Sequence, residues 1–279
     1  MSYDTIRLET RGDVAWLVLN RPERLNALNQ TMLGEINAAL DVVEADDRLR
    51  AVVVTGAGSA FSSGFDLKEQ MENQPRGVGQ WRGPLRKDFD TVMRFWHFPK
   101  PTIAAVNGHC LAGAFELALA CDMTITADTA VFGEPELKFG AGIVVMLLPW
   151  IVGPKRAKEI IMTGADRITA ERAERIGIVN RVVAGAALER TALAMARHVA
   201  AVDPMLMRQT KHAINRTFQI MGMGEALEAA LDIDLHIEGE GCPDKIQFME
   251  IARREGLRAA IAWRDARFPP DSEAGEGRA

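Results

Sequence analysis

An α/β core followed by a helical C-terminal region is the fold class this sequence predicts. Two features of the first half carry that prediction: apolar, β-branched runs such as Val52-Val53-Val54 alternate with helical patterns, and glycine-rich turns follow the strands. A third lies further on, where the patterns after Gly153-Pro154 become mostly helical.

Taken in order, Val14 to Leu19 reads as a buried strand. Gln30 to Ala45 reads as a helix, because Met32, Leu33, Ile36, Leu40 and Val43 recur at helical spacing. Ala51 to Thr55 is a second strand, and its exit, Thr55-Gly56-Ala57-Gly58-Ser59-Ala60-Phe61-Ser62-Ser63-Gly64-Phe65, is glycine-rich enough for its backbone to approach a ligand. Residues 69–86, with Pro75, Gly77, Gly79, Gly83 and Pro84, read as a mobile polar loop over a pocket. Thr102 to Val106 is a strand, and Asn107 to Asp122 a loop feeding a helix that starts near Gly113. Met123 to Ala127 is a further strand. Helices are expected over about Lys155 to Thr163, Ala170 to Arg175, Ala186 to Ala201, Pro204 to Gln219 and Glu225 to Glu238. Residues 1–200 are thus the α/β core, 201–268 a helical region suited to oligomerisation, and 269–279 a disordered tail rich in Pro, Gly, Ser and charge.

Composition narrows the function classes. With 33 basic against 38 acidic residues, the net charge of −5 argues against a general nucleic-acid surface, though a local basic patch would still bind phosphates. Cys110, Cys121 and Cys242 lack the spacing of a zinc site or disulfide framework, so no metal is expected and the thiols read as reduced. The N-terminal residues carry neither the basic nor the apolar segment of a secretory signal, and the apolar run from Ala141 to Val152 is too short to span a bilayer. The expectation is a cytoplasmic protein without a membrane partner.

Glu116 and Glu136 carry the chemistry. They lie twenty positions apart, each after a glycine-containing turn. Two carboxyls beside one activated carbonyl supply a proton acceptor and a proton donor, the equipment for moving water across a carbon–carbon double bond. Gly113, at a helix start, has an N–H without an intrahelical partner, where the helix dipole favours negative charge. Glu116 alone also suits a plain first-turn carboxylate, and Glu136 a solvated loop carboxylate with Glu134 as a competitor.

Asn20-Arg21-Pro22-Glu23-Arg24-Leu25-Asn26-Ala27-Leu28, Ser63-Gly64-Phe65-Asp66-Leu67, and Pro101 through Glu136, with Cys121-Asp122-Met123 and Phe132-Gly133-Glu134-Pro135-Glu136, resemble the crotonase family of enoyl-CoA hydratases and isomerases. The resemblance covers roughly residues 10 to 220. It implies a crotonase-like spiral of ββα units, oxyanion-hole N–H groups on Phe65 and Gly113, and Glu116 and Glu136 as acid/base pair, with Glu116 as base the first reading of an open order. It also places Arg24, Leu25, Ala27, Ser63, Asp66, Leu67 and Lys68 at the substrate, and the last helix, with Arg258, Arg264 and Arg267, near CoA phosphates. The implied activity is hydration of a 2-enoyl-CoA to a 3-hydroxyacyl-CoA. The alternatives are another acyl-CoA reaction on the same oxyanion hole (isomerase, decarboxylase or hydrolase) and a noncatalytic acyl-CoA- or RNA-binding relative. No cofactor beyond the substrate's own CoA is implied, and the assembly implied is a homotrimer or homohexamer. One segment departs from the family pattern: Phe139 to Trp150 is shorter and more apolar than the usual Gly-x-x-Pro-x-x-Gly-Gly loop, and Val144, Met146 and Leu147 suit either an acyl wall or core.

Overall fold

The computed structural model describes residues 3–268, so the expected disordered tail lies outside the described residues. The chain runs β1 (Ile6–Arg11), β2 (Val14–Leu19), α1 (Gln30–Ala45), β3 (Ala51–Gly56), β4 (Ala60–Ser62), α2 (Leu67–Asn73), α3 (Gly77–His97), β5 (Thr102–Val106), β6 (His109–Leu111), α4 (Gly113–Ala120), β7 (Met123–Ala127), β8 (Val131–Gly133), α5 (Leu148–Val152), α6 (Pro154–Thr163), β9 (Ile168–Thr169), α7 (Ala170–Arg175), β10 (Arg181–Val183) and α8 (Leu188–Ala200). Four helices close it: α9 (Pro204–Ile220), α10 (Met223–Glu240), α11 (Pro243–Glu255) and α12 (Leu257–Asp265).

Strands are dealt alternately between two sheets. In the pairs β3–β4, β5–β6 and β7–β8, the first strand joins a six-stranded sheet of order β1-β2-β3-β5-β7-β10 and the second a four-stranded sheet of order β4-β6-β8-β9. Pairing is parallel except for β1 with β2 and β8 with β9. Parallel strands carry their exits to the same edge, which sets the glycine turns after β3 and β5 side by side.

The large sheet is buried on both faces, which is why its strands read as continuous apolar runs. Leu17, Leu19, Val52, Val54, Ala104 and Val106 point into the main core with α1, α3 and α4. Their alternates, Val14, Trp16, Val18, Val53, Ile103 and Ile125, meet Leu188, Ala192, Ala196 and Ala200, a small-residue stripe at four-residue spacing that lets α8 lie close to the sheet.

The strands at Val14, Thr102 and Met123, the helix from Gln30 to Ala45 and the start of α4 at Gly113 fall where the sequence places them. Residues 69–86 do not form a loop. They belong to α2 and a long α3 in which Trp81, Leu85, Phe89, Val92 and Trp96 make a buried stripe. The glycines and Pro84 mask that stripe in the sequence, and its burial against the core outweighs their weak helix propensity. The Ala141–Val152 run resolves toward core: Ile143, Val144, Val145, Leu147 and Leu148 are buried, with Met146 packed beside them.

The helical C-terminal region turns back on the same chain. Leu227 and Leu231 enter the main core, Phe218 meets Trp96 edge-on at 5.6 Å between ring centroids, and Phe248, Ala252 and Ala260 enclose Phe139 with Leu67 and Met71 of α2. Most of the apolar surface expected to serve assembly is therefore used within the chain. Ile214 stays exposed, as do Met205, Leu206, Ile220, Met221 and Ile233.

Candidate active site

Two strand exits meet at the site. Gly64 adopts φ +91°, and a Cβ there would fall 2.6 Å from Ala112 Cβ and 2.8 Å from Leu111 O, so only glycine permits both the conformation and the approach. The exit is tied to the preceding turn: Leu28 N–H donates to Gly64 O (2.8 Å), Asp66 N–H to Leu28 O (3.0 Å) and Ser63 N–H to Leu25 O (3.0 Å). Beneath it the fully buried Asn26 donates through Nδ2 to Ala57 O, Ala60 O and Phe61 O at 2.8, 2.8 and 3.2 Å, and accepts from Arg21 N–H.

On the facing exit Ala112 holds φ 57°, ψ −138°, a conformation alanine adopts only under constraint. It turns the chain so that Ala112 O accepts from both Phe115 N–H (2.7 Å) and Glu116 N–H (3.1 Å), and α4 begins at Gly113. A Cβ on Gly113 would overlap the Phe65 ring, which lies across it. Phe65 N–H and Gly113 N–H donate to no described residue, whereas Gly64, Asp66 and Ala112 N–H beside them do; the next helix N–H, of Ala114, is likewise without an acceptor. Two free donors on adjoining backbones are the parts of an oxyanion hole.

Glu116 stands in the first turn of α4, Glu134 follows β8, and Glu136 begins the 3-10 turn Glu136–Phe139. One oxygen from each lies within 4.8 Å of the other two, and all three residues are buried. Both oxygens of Glu116 and one each of Glu134 and Glu136 lack a hydrogen-bond partner. Burial, then the charge of Glu136, pushes the Glu116 carboxyl well above the usual range; burial, then Glu136 and Glu116, does the same to Glu134. Burial also raises Glu136, to about 8, where its own N–H and a hydrogen bond with Glu134 hold it back. Like charges this close cannot all ionise, so the cluster holds protons at neutral pH. An oxygen set of this kind is also what a hard divalent cation takes.

The other sequence-predicted residues are divided. Leu25, in the left-handed region (φ 50°), and Arg24 are exposed on the turn before Asn26. Ala27 O accepts from Arg21 Nη1 (2.6 Å), which also pairs with Asp66 (2.8 Å). Asp66 caps α2 by accepting from Lys68 N–H and Glu69 N–H, so its carboxylate is engaged structurally; Lys68 is half exposed, and Leu67 packs near Phe139. Arg264 pairs with Asp166 and Asp265, and Arg267 with Asp244, within the chain.

Sequence reasoning missed a second set of buried ionisable groups: Asp88 on α3, Asp234 and Glu238 on α10, and Lys245 on α11. Lys245 is hydrogen-bonded to Glu238 and lies 4.5 Å from the Trp81 ring centroid. The available signal was polarity at positions where the apolar stripes of α3 and α10 run inward, such as Asp88 between Leu85 and Phe89.

Sequence and fold both match one class. The enoyl-CoA hydratase/isomerase profile matches residues 9–239, and the chain belongs to this family, the crotonases. It is similar to a solved enoyl-CoA hydratase/isomerase from Xanthobacter autotrophicus, at 69% identity and a TM-score of 0.95, covering 96% of this chain and 100% of that one. A probable enoyl-CoA hydratase of Rhizobium meliloti is 36% identical over 96% of this chain and 99% of its own length. A putative enoyl-CoA hydratase of Thermus thermophilus is 40% identical, over 92% and 98%. No helix among the described residues is long and apolar enough to cross a membrane.

Proposed function

We propose that this protein hydrates a 2-enoyl-CoA thioester. The observation that carries the reading is the pairing of two unengaged N–H groups, on Phe65 and Gly113, with buried carboxyls at Glu116 and Glu136. The thioester oxygen sits between the two N–H donors. Water attacks C3, its proton passes to one carboxylate, and the electron pair moves through C2 onto the thioester oxygen. The second carboxyl then protonates C2, and the enolate collapses to the 3-hydroxyacyl thioester. Each N–H is worth about 2.7–4 kcal/mol in the transition state.

The resting electrostatics bear on the division of labour. Two groups, Glu134 and its own N–H, hold the Glu136 carboxyl back from a larger rise, whereas Glu116, raised by burial and by the charge of Glu136, is opposed only by the Val145 N–H. That favours Glu136 as the acceptor of the water proton and Glu116 as the donor to C2, the reverse of the first reading from the sequence. The relatives named as probable or putative enoyl-CoA hydratases support the same reaction.

The test is incubation with crotonyl-CoA, loss of the enoyl absorbance and identification of 3-hydroxybutyryl-CoA. Conversion of a 3-enoyl or malonyl ester with none of crotonyl-CoA would assign a different reaction to the site. The apolar residues left exposed on α9 and α10 support a homo-oligomer, a trimer or a pair of trimers.

A further inference from the structure

A cavity of about 300 Å³ opens beside Phe65, bounded by Leu28, Trp81, Pro84, Gln80 and Asp88. It shares the Phe65 wall with the proposed thioester site, so an acyl tail leaving C3 has this space to enter. An engineered cavity of about 150 Å³ accepts benzene, so this one takes a ring with a substituent or a chain of similar bulk.

Its chemistry is uneven. Asp88 is 5% exposed and accepts one hydrogen bond, from Gln30 Nε2 to Oδ1 (2.8 Å). Oδ2 accepts from no described residue and, unlike the sealed oxygens of Glu116 and Asp234, keeps some access from outside. The Gln30 backbone is held at both ends, its N–H on Glu69 Oε2 (2.9 Å) and its main-chain carbonyl on Lys87 Nζ (2.7 Å), while its side-chain amide meets Asp88 through Oδ1 alone. The other two carboxylates in the wall, Asp66 and Glu69, are engaged at the start of α2 and at Gln30. No lysine, arginine or histidine lines the cavity. An acceptor that a tail would shut off from water discriminates between tails, because one that fails to donate leaves it unpaired.

Resting on the hydratase reading, we infer that the acyl tail occupies this cavity and that Asp88 Oδ2 accepts a hydrogen bond from a hydroxyl or amino group on it. The substrate class is then an enoyl-CoA with a donor-bearing tail, and a tail ending in a carboxylate is disfavoured because no lysine, arginine or histidine lines the cavity to receive it. Burial, first among the causes, raises Asp88 to about 7, and a hydrogen bond donated to Oδ2 would draw it back toward the carboxylate.

The experiment compares 2-enoyl-CoA esters of equal length ending in methyl, hydroxyl, amino, keto or carboxylate groups, with wild type, Asp88→Asn and Asp88→Leu. Wild type is expected to favour the hydroxyl or amino tail over methyl by at least tenfold in kcat/KM and to take the carboxylate tail worst. In Asp88→Asn the amide oxygen keeps the Gln30 bond and turns its NH₂ to the cavity, so preference should move to the keto tail; Asp88→Leu should favour methyl. A wild type that prefers methyl, or an Asp88→Asn enzyme whose order is unchanged, overturns the inference while leaving hydration standing. If no ester is hydrated, the hydratase reading fails, and calorimetry with the saturated esters decides the inference separately: equal affinity for hydroxyl and methyl tails overturns it.

Discussion

Around the Gly64–Gly113 contact most polar groups are satisfied, leaving the Phe65, Gly113 and Ala114 N–H donors free among the described residues; at the carboxyl side, Glu116, Glu134, Glu136 and Asp234 bury oxygens without partners. The first region is made of backbone. Its geometry comes from the Asn26 bonds, the Leu28–Phe65 bridge and the strained Ala112, and side-chain identity enters chiefly as room left by glycine. The second is made of side chains from α3, α4, the 134–136 turn and α10, with ionisation displaced by burial and by one another. A backbone hole gives a fixed place for negative charge to develop, whereas a carboxyl cluster gives groups whose proton occupancy can change during a cycle.

The sharpest way to break this contrast is to remove titration while keeping shape. Glu116→Gln and Glu136→Gln should each lower kcat by about 10²–10⁴-fold with little change in affinity for a saturated CoA ester, measured by steady-state kinetics and calorimetry. Near-normal turnover in Glu136→Gln, with loss in Glu134→Gln, would move the catalytic role to Glu134.

On the backbone side, Gly113→Ala drives a Cβ into the Phe65 ring and shifts both donors together. We expect a loss of about 10²-fold in kcat, larger than the effect on KM, since the contact strengthens as charge develops. If the folded variant keeps full activity, the N–H pair is not the oxyanion hole.

The pH dependence of stability tests the carboxyl side without substrate. Glu136 has a folded pKa raised to about 8 from its ordinary 4.5, so its contribution is fully present below about 4.5 and is lost as pH rises toward and through about 8. Each unit of that interval corresponds to about 1.4 kcal/mol as an upper measure. Urea melts should show stability falling over this window and the fall lessened in Glu136→Gln; identical slopes would mean that Glu136 titrates as an ordinary exposed carboxyl.

Asn26→Ala removes the amide donor shared by Ala57 O, Ala60 O and Phe61 O, of which Ala60 O keeps another, from Asn107 Nδ2 (3.3 Å), and should destabilise the protein by about 2–3 kcal/mol in the same melts. An unchanged midpoint would show that the turn is held by its backbone bonds alone. The smallest effect expected is at the C terminus. Removing the chain from Gly256 onward takes away α12, which packs near Phe139, and should weaken CoA-ester affinity and assembly several-fold, read by calorimetry and light scattering. A full-length monomer, with affinity unaltered by truncation, would refute that role.

The main strands, α1 and the start of α4 at Gly113 were legible in the sequence because each depends on local pattern: apolar runs, helical spacing, glycine where the chain must turn. The pair Glu116 and Glu136 was legible by resemblance to a family motif, and the two exits by their glycines. What the tertiary structure alone decided is which buried groups share a volume. Nothing in the spacing of Asp234 or Lys245 connects them with Glu136, for their proximity arises only when α10 and α11 fold onto the turn after it. Residues 69–86 differ from their local reading for the same reason. Glycine and proline weaken a helix by local terms of about 1–3 kcal/mol per residue, whereas the stripe from Trp81 to Trp96 gains burial only against a core built from distant segments.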